Sequence, residues 1–317
     1  MKTFLQIFFL LISAVFFSQE KQPKVGLVLS GGGAKGFAHI GVLKEIDRAG
    51  IQIDYIGGTS MGAIIGGLYA AGFSAIQIET IVKETDFGIL LRDILPRSSS
   101  PFFEKEYFEK TMITLPVKKG KVGLPKAISR GQNILNFLFE LLGYTEGLED
   151  FSKLPIPFFC IATDVESGGE VLLEKGSLPL ALRASGSFPT LLNPVILNGR
   201  LLVDGGIANN FPVSIMKSKG MDIIIGVDVE GELYEKEKLT SAIAILNQIV
   251  SYQMYSKSTE EKEKLDVYIH PNIFKYTVVD FDKKDEILKK GDVVAEKYIE
   301  VFKKIAAKQI IKKKKKR

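Results

Sequence analysis

The chain has 317 residues, 46% hydrophobic and 25% charged, which is the ordinary range of a globular protein with a sizeable core and makes one large domain the expectation. The net charge of +5 is a property of the C-terminus: setting aside Lys312–Arg317 and Lys2 from the 42 basic residues leaves 35 against 37 acidic ones. A nearly neutral body gives no basis for a nucleic-acid-binding face, and the single cysteine, Cys160, excludes an intramolecular disulfide.

Lys2 is followed by an uncharged apolar run from Phe4 to Phe17 and then by Ser18-Gln19-Glu20-Lys21, which reads as a signal peptide over residues 1–18 and implies an exported protein, periplasmic or secreted. The run is short of the roughly 20 residues that a membrane-spanning helix needs. Val25–Ser30 is a continuous apolar strand, suited to burial on both faces in a parallel sheet. It leads into Gly31-Gly32-Gly33-Ala34-Lys35-Gly36 and then into a helix with His39, Val42, Leu43 and Ile46 on one face, stopped at Ala49-Gly50. A second strand, Ile53–Ile56, precedes Gly58-Thr59-Ser60-Met61-Gly62 and a helix rich in glycine and alanine. Two strands joined by a crossover helix are expected to be parallel, with both glycine loops at one edge of the sheet.

Between Asp86 and Gly131 no strong period holds, and Pro96–Phe103 suggests a cap or lid. A helix over Asn133–Leu142 is apolar almost all round and is expected to be buried. Ile156–Val165 reads as another buried strand, with Cys160 an inert thiol inside it. Val195–Leu197 and Leu201–Val203 flank Asn198-Gly199-Arg200, an Asn-Gly hairpin signal, and the hairpin runs straight into Asp204-Gly205-Gly206. A helix near Pro212–Lys219, a strand at Ile223–Val229, a helix near Ser241–Met254, a strand at Val267–Ile269 and a final helix sharing Tyr298, Val301, Phe302 and Ile305 on one face complete the pattern.

Ser60 lies on a Gly-x-Ser-x-Gly turn between strand and helix, the setting of a nucleophile. It needs a base and an oxyanion site. The Gly31–Gly33 run offers backbone N–H groups at a helix start for the oxyanion. For the base there are only two histidines. The order Ser60, Asp204, His270 matches that of an α/β-hydrolase triad, but the place of His270 at a strand end before Pro271 argues against a base there, while His39 sits where it would anchor the glycine loop. Asp204 remains, between a strand and two glycines that allow close approach, although an Asp-Gly-Gly alone is equally a turn. Gly31, Gly33 and Gly36 also satisfy a dinucleotide fingerprint, with Asp54 near the place of a ribose-binding acid. That alternative, an oxidoreductase, leaves Ser60 and Asp204 unexplained.

The three glycine motifs in this order, together with Arg183-Ala184-Ser185-Gly186-Ser187-Phe188-Pro189 and Asn210-Phe211-Pro212, resemble the patatin-like phospholipase family, in its bacterial exported form. The resemblance implies an α/β fold, a three-layer α/β/α sandwich with a mostly parallel central sheet. It implies a catalytic domain over residues 24–220, followed by an α/β extension over 221–311 packed on the same core and a basic tail at 312–317. It also implies a Ser-Asp dyad of Ser60 and Asp204, with Gly31, Gly32, Gly33, Ala34, Lys35 and Gly36 as the oxyanion motif, Gly58, Thr59, Met61 and Gly62 around the nucleophile, and Gly205 and Gly206 after the base. The implied activity is hydrolysis of fatty-acyl esters through an acyl-enzyme, as a phospholipase A or lysophospholipase, with no cofactor and no metal. Exported relatives that continue into a membrane β-barrel have alternating strands which this sequence lacks, so a soluble enzyme is expected. The Lys-rich tail suggests transient contact with anionic membrane, and an inactive lipid-surface binding protein is the non-enzymatic alternative.

Overall fold

The computed structural model describes residues 22–93, 117–118, 121–122, 127–231, 233, 235–240 and 242–314. The leader at 1–18, the Pro96–Phe103 stretch and residues 315–317 of the tail lie outside them.

An eight-stranded sheet forms the centre. Its strands are β1 (Val25–Leu29), β2 (Tyr55–Thr59), β3 (Phe158–Asp164), β4 (Glu170–Leu173), β5 (Val195–Leu197), β6 (Arg200–Asp204), β7 (Ile223–Val227) and β8 (Val267–Ile269). Their order is β8-β7-β1-β2-β3-β6-β5, with β4 pairing β3 off this row. The pairs from β8 through β3 are parallel, and β6 with β3, β5 with β6 and β4 with β3 are antiparallel. β7 and β8 therefore belong to the same sheet as β1.

Side chains alternate between two cores. Leu27 and Leu29 of β1, Phe158 and Cys160 of β3, and Ile225 of β7 face one core, while Val28, Phe159, Ile161 and Ile224 face the other. This is the period of two that a strand covered on both faces requires, and it makes the molecule three-layered. The larger core is closed by α1 (His39–Ala49), α2 (Met61–Ala70), α3 (Ala75–Glu84), α4 (Phe87–Arg92), α5 (Gln132–Leu142) and α6 (Leu178–Ser185), the smaller by α7 (Val213–Ser218). α8 (Ala242–Lys262) runs past α7, and α9 (Lys284–Glu296) and α10 (Ile299–Lys314) return to pack on α1. Among the described residues no helix is long and apolar enough to cross a membrane.

Several elements depart from the sequence pattern for identifiable reasons. β2 begins at Tyr55 and carries Gly57 and Gly58 inside the strand, because the Phe159 ring fills the space a side chain on Gly57 would need. Low strand propensity is overridden by packing. α9 was hidden by its charge: Lys284, Asp285, Glu286, Lys289 and Lys290 mask a buried stripe of Ile287, Leu288, Gly291, Val294 and Ala295. α4 is set by Asp86, whose side chain accepts from the Ile89 N–H at 3.1 Å. α5 is fully buried only along Ile134, Leu138 and Leu142, and its other apolar side chains are partly exposed. The Asn198-Gly199 hairpin forms with both residues at positive φ, 50° and 77°.

Candidate active site

Strand register brings the two candidate residues together. Thr59 of β2 pairs with Ile161 of β3, and Asp204, the last residue of β6, pairs with Ala162. Ser60 and Asp204 thus flank β3 at the same level. Across it the Ser60 Oγ–H donates to Asp204 Oδ2 at 2.6 Å.

The turn that presents Ser60 is constrained. Ser60 has φ 54° and ψ −125°, a left-handed conformation rare for a residue with a side chain and usual at a strained functional turn. Gly62 is required because a Cβ there would lie 2.3 Å from the Leu29 carbonyl oxygen of the neighbouring strand. Ser185, on α6, accepts the Ser60 N–H on its Oγ at 3.0 Å. The same segment holds the other partner: Asp204 N–H donates to Ser187 O at 3.0 Å and Gly205 N–H to Ser185 O at 3.2 Å. Arg183, 3% exposed, fixes this segment by donating to the Ser187 hydroxyl and to the carbonyls of Arg130, Gly131 and Asn193. The Arg183–Pro189 run is therefore a brace between Ser60 and Asp204.

Asp204 is 3% exposed, and its hydrogen bonds come from neutral groups: Ser60 Oγ–H, and Gly206 N–H to Oδ1 at 2.8 Å. Burial pushes its carboxyl up to about 6, against the pull of those two donors. A carboxylate so raised is a better proton acceptor than an exposed one and is still ionised at neutral pH.

The glycine loop lies against the serine. A Cβ on Gly31 would sit 2.9 Å from Ser60 Cβ, so only glycine allows the approach. Peptide planarity makes each carbonyl in the loop a pointer for the N–H of the next residue, which faces the opposite way. The Ser30 carbonyl accepts from His39 Nε2–H at 2.9 Å, and the Gly32 carbonyl from Lys35 N–H at 3.2 Å. The N–H groups of Gly32 and Gly33 have no acceptor among the described residues, and both glycines line the same cleft as Ser60. His39 is wholly buried; its Nε2 must carry the proton, and burial pushes its pKa down to about 4, so the ring is a neutral strut.

The remaining candidates take supporting places. Thr59 Oγ1–H donates to Asn209 O at 2.9 Å, and Gly58 packs against the Gly62 backbone. Ala34 and Gly36 are buried in the short 3-10 turn after the loop, Gly36 against Met61. Gly205 packs on the Ile161 carbonyl. Lys35 turns away from the cleft toward Asp228 and Glu230, and burial brings its ammonium down to about 8 against their charges. His270 bonds through Nδ1 to the Asp228 carbonyl at 2.9 Å and has no contact with Ser60 or Asp204. Asp54 precedes β2 and accepts the Val25 N–H at 2.8 Å, at the edge of the sheet opposite the glycine loop. A ribose-binding acid belongs at the loop's edge, so the dinucleotide fingerprint has no second half. Cys160 is buried, which pushes its thiol well up and leaves it unreactive.

Ser60 and Asp204 open into a cleft of about 1140 Å³ including its mouth, walled by apolar side chains of α2, α3, α4, α5 and the Val278–Phe281 turn.

A three-layer sheet with a serine on a strand-to-helix turn, a carboxylate in contact and free N–H groups beside it has the architecture of a serine-hydrolase site. The chain belongs to the patatin-like phospholipase family, whose sequence profile matches residues 27–217. It is 31% identical over 301 residues to lysophospholipase NTE1 of Meyerozyma guilliermondii, covering 86% of this chain and 19% of that protein. It is 32% identical over 293 residues to lysophospholipase NTE1 of Candida albicans, covering 84% and 19%. The chain thus spans about a fifth of the length of the curated relatives it matches. Among solved structures, VipD from Legionella pneumophila shares the fold with a TM-score of 0.50 at 17% identity, over 89% of this chain and 67% of that one.

Ser185 and Asn210 contribute to the site, and no local sequence pattern marks either of them for chemistry. Both lay inside runs that carry the resemblance, which is the one signal that could have found them. Their contacts are side chain to backbone across 125 and 179 residues, beyond the reach of local pattern.

Proposed function

We propose that this protein is a serine acyl hydrolase of the lysophospholipase or phospholipase A type. The observation that carries the reading is the 2.6 Å hydrogen bond from Ser60 Oγ to a buried carboxylate at the base of an apolar cleft. Ser60 Oγ attacks the acyl carbonyl carbon while its proton passes to Asp204. The Gly32 and Gly33 N–H groups hold the negative oxygen that forms. On collapse the ester C–O bond breaks and the departing alcohol takes the proton from Asp204, leaving the acyl chain on Ser60. A water molecule then attacks that ester, giving its proton to Asp204, which returns it to Ser60 as the fatty acid leaves. The apolar cleft suits an acyl chain, and the polar head group remains at the mouth. The similarity to fungal lysophospholipases supports a single-chain phospholipid as substrate.

The protein is exported in this reading, the leader over residues 1–18 being removed, and its Lys312–Arg317 tail holds it to anionic membrane. N-terminal mass spectrometry of the protein recovered from cells tests the cleavage: an intact Met1 overturns it.

The function is tested by fatty-acid release from lysophosphatidylcholine, phosphatidylcholine and triglyceride, with wild type beside Ser60→Ala. Release from lysophosphatidylcholine that depends on Ser60 is expected. Equal release by both proteins refutes the proposal.

A further inference from the structure

The Gly31–Gly32 peptide is the part of the glycine loop whose orientation decides whether the Gly32 N–H faces the reacting oxygen. Its neighbours are held by local contacts, the His39 ring on one side and the Lys35 N–H on the other. The Gly31–Gly32 plane is held from outside the loop. Asn210, 1% exposed, donates Nδ2–H to the Gly31 carbonyl at 3.2 Å, and its own backbone carbonyl accepts the Gly31 N–H at 3.3 Å. The same Nδ2 donates to Glu230 Oε1 at 2.7 Å. Both partners of Nδ2 are acceptors, so the amide can face them only with its NH₂ group. Its Oδ1 is left without a hydrogen-bond partner, a cost in a buried site that marks the orientation as imposed.

The geometry points to Asn210 as a positioning residue for the oxyanion hole, held in its orientation by ionised Glu230, so that the Gly31 carbonyl is drawn away and the Gly32 N–H is turned toward the substrate oxygen. This rests on the acyl-hydrolase reading above. Glu230 is itself fixed by its N–H on Asp228 Oδ1 at 2.8 Å. The charged and titratable groups around it are Asp228, Lys35, Lys262 and Tyr268. Burial, with the Asp228 charge adding to it, pushes the Glu230 carboxyl up to about 7, against the Asn210 hydrogen bond. Protonation turns an acceptor into a donor, for which the Asn210 Oδ1 is the better partner. The amide then turns over and sets oxygen against the Gly31 carbonyl, and the peptide plane is released. Activity accordingly falls in two steps on the acid side, first as Glu230 protonates and then as Asp204 does.

The test is the pH dependence of kcat and KM from pH 5 to 9 on lysophosphatidylcholine for wild type, Asn210→Ala, Glu230→Gln and Glu230→Leu, with Ser60→Ala as blank. Asn210→Ala is expected to lower kcat by ~100-fold, the size of losing one oxyanion donor, with KM within about threefold. Glu230→Gln is the uncharged counterpart of protonated Glu230 and presents a donor at every pH, so its kcat at pH 8 is already reduced to the level wild type reaches once Glu230 is protonated, and its profile lacks the upper step, leaving only the fall near pH 6 attributed to Asp204. Glu230→Leu lowers kcat at every pH. A wild-type kcat in Asn210→Ala, or a Glu230→Gln profile superposing on wild type, overturns the proposal, and the Glu230→Gln profile decides alone if Asn210→Ala does not fold. Activity remaining in Ser60→Ala would instead refute the acyl-hydrolase reading itself.

Discussion

Two aspartates lie at the ends of sheet strands, both buried, and the chemistry around them is opposite. Asp204, ending β6, is met only by neutral donors, and burial raises its carboxyl to about 6. Asp228, one residue beyond β7, is likewise opposed by burial, but the Lys262 ammonium at 2.8 Å outweighs it and holds the carboxyl below its usual range. Asp228 also accepts from Ser30 Oγ at 3.3 Å, Glu230 N at 2.8 Å and Tyr268 Oη at 2.8 Å. A carboxylate with a cation and a full set of donors is a structural post. One deprived of a cation is poised to take a proton, at a cost in stability.

The comparison breaks most visibly in activity. Ser60→Ala should lower kcat on a lysophospholipid by at least about 10³-fold, and Asp204→Asn by about 10²–10⁴-fold, whereas Asp228→Asn should cost less than tenfold. Initial rates of fatty-acid release check all three. Stability should run the other way. Asp204 has a folded pKa above its usual 3.8, so its burden is absent below that value and complete above about pH 6, on the order of 3 kcal/mol. Asp204→Asn removes the burden, and its Tm at pH 8 should exceed wild type by several degrees. Asp228, with a lowered pKa, stabilises above its unfolded value, and that contribution is lost as pH falls through its folded one. Asp228→Asn should therefore lower stability by about 3 kcal/mol at neutral pH by removing the buried carboxylate that the Lys262 ammonium meets. Thermal melts of the two variants side by side distinguish the roles without any substrate. Smaller effects follow away from the pair. Removing residues 312–317 should weaken binding to anionic vesicles at low salt by about 1 kcal/mol per lost charge near the surface, and not at high salt. His270→Ala, which touches Asp228 and not Ser60, should change kcat least.

The two aspartates also mark what a sequence makes legible. Asp204 was found because it sits in a motif with glycines on one side and a hairpin signal on the other, and its partner Ser60 stands on its own glycine turn. β1, β3 and β7 are legible as apolar runs, since both faces are covered. Nothing local in the sequence marks Asp228, because its meaning comes from Lys262, Tyr268 and Ser30, which converge only in the folded chain. The same holds for Ser185 and Asn210, and for the brace built by Arg183. The sequence pattern conceals α9 because charged residues outnumber its narrow buried stripe, where Gly291 meets Gly41 of α1 and lets two helices touch backbone to backbone.

The central claim is that Ser60 is activated by Asp204 without a histidine. It is tested most directly by the rate at which a fluorophosphonate modifies Ser60, followed by intact-mass and peptide mass spectrometry at pH 8 in wild type, Asp204→Asn and His270→Ala. Modification confined to Ser60, slowed by about 10²-fold or more in Asp204→Asn and near wild type in His270→Ala, is the predicted result. Labelling of Asp204→Asn at the wild-type rate, or loss of labelling in His270→Ala with its fold intact, would contradict it.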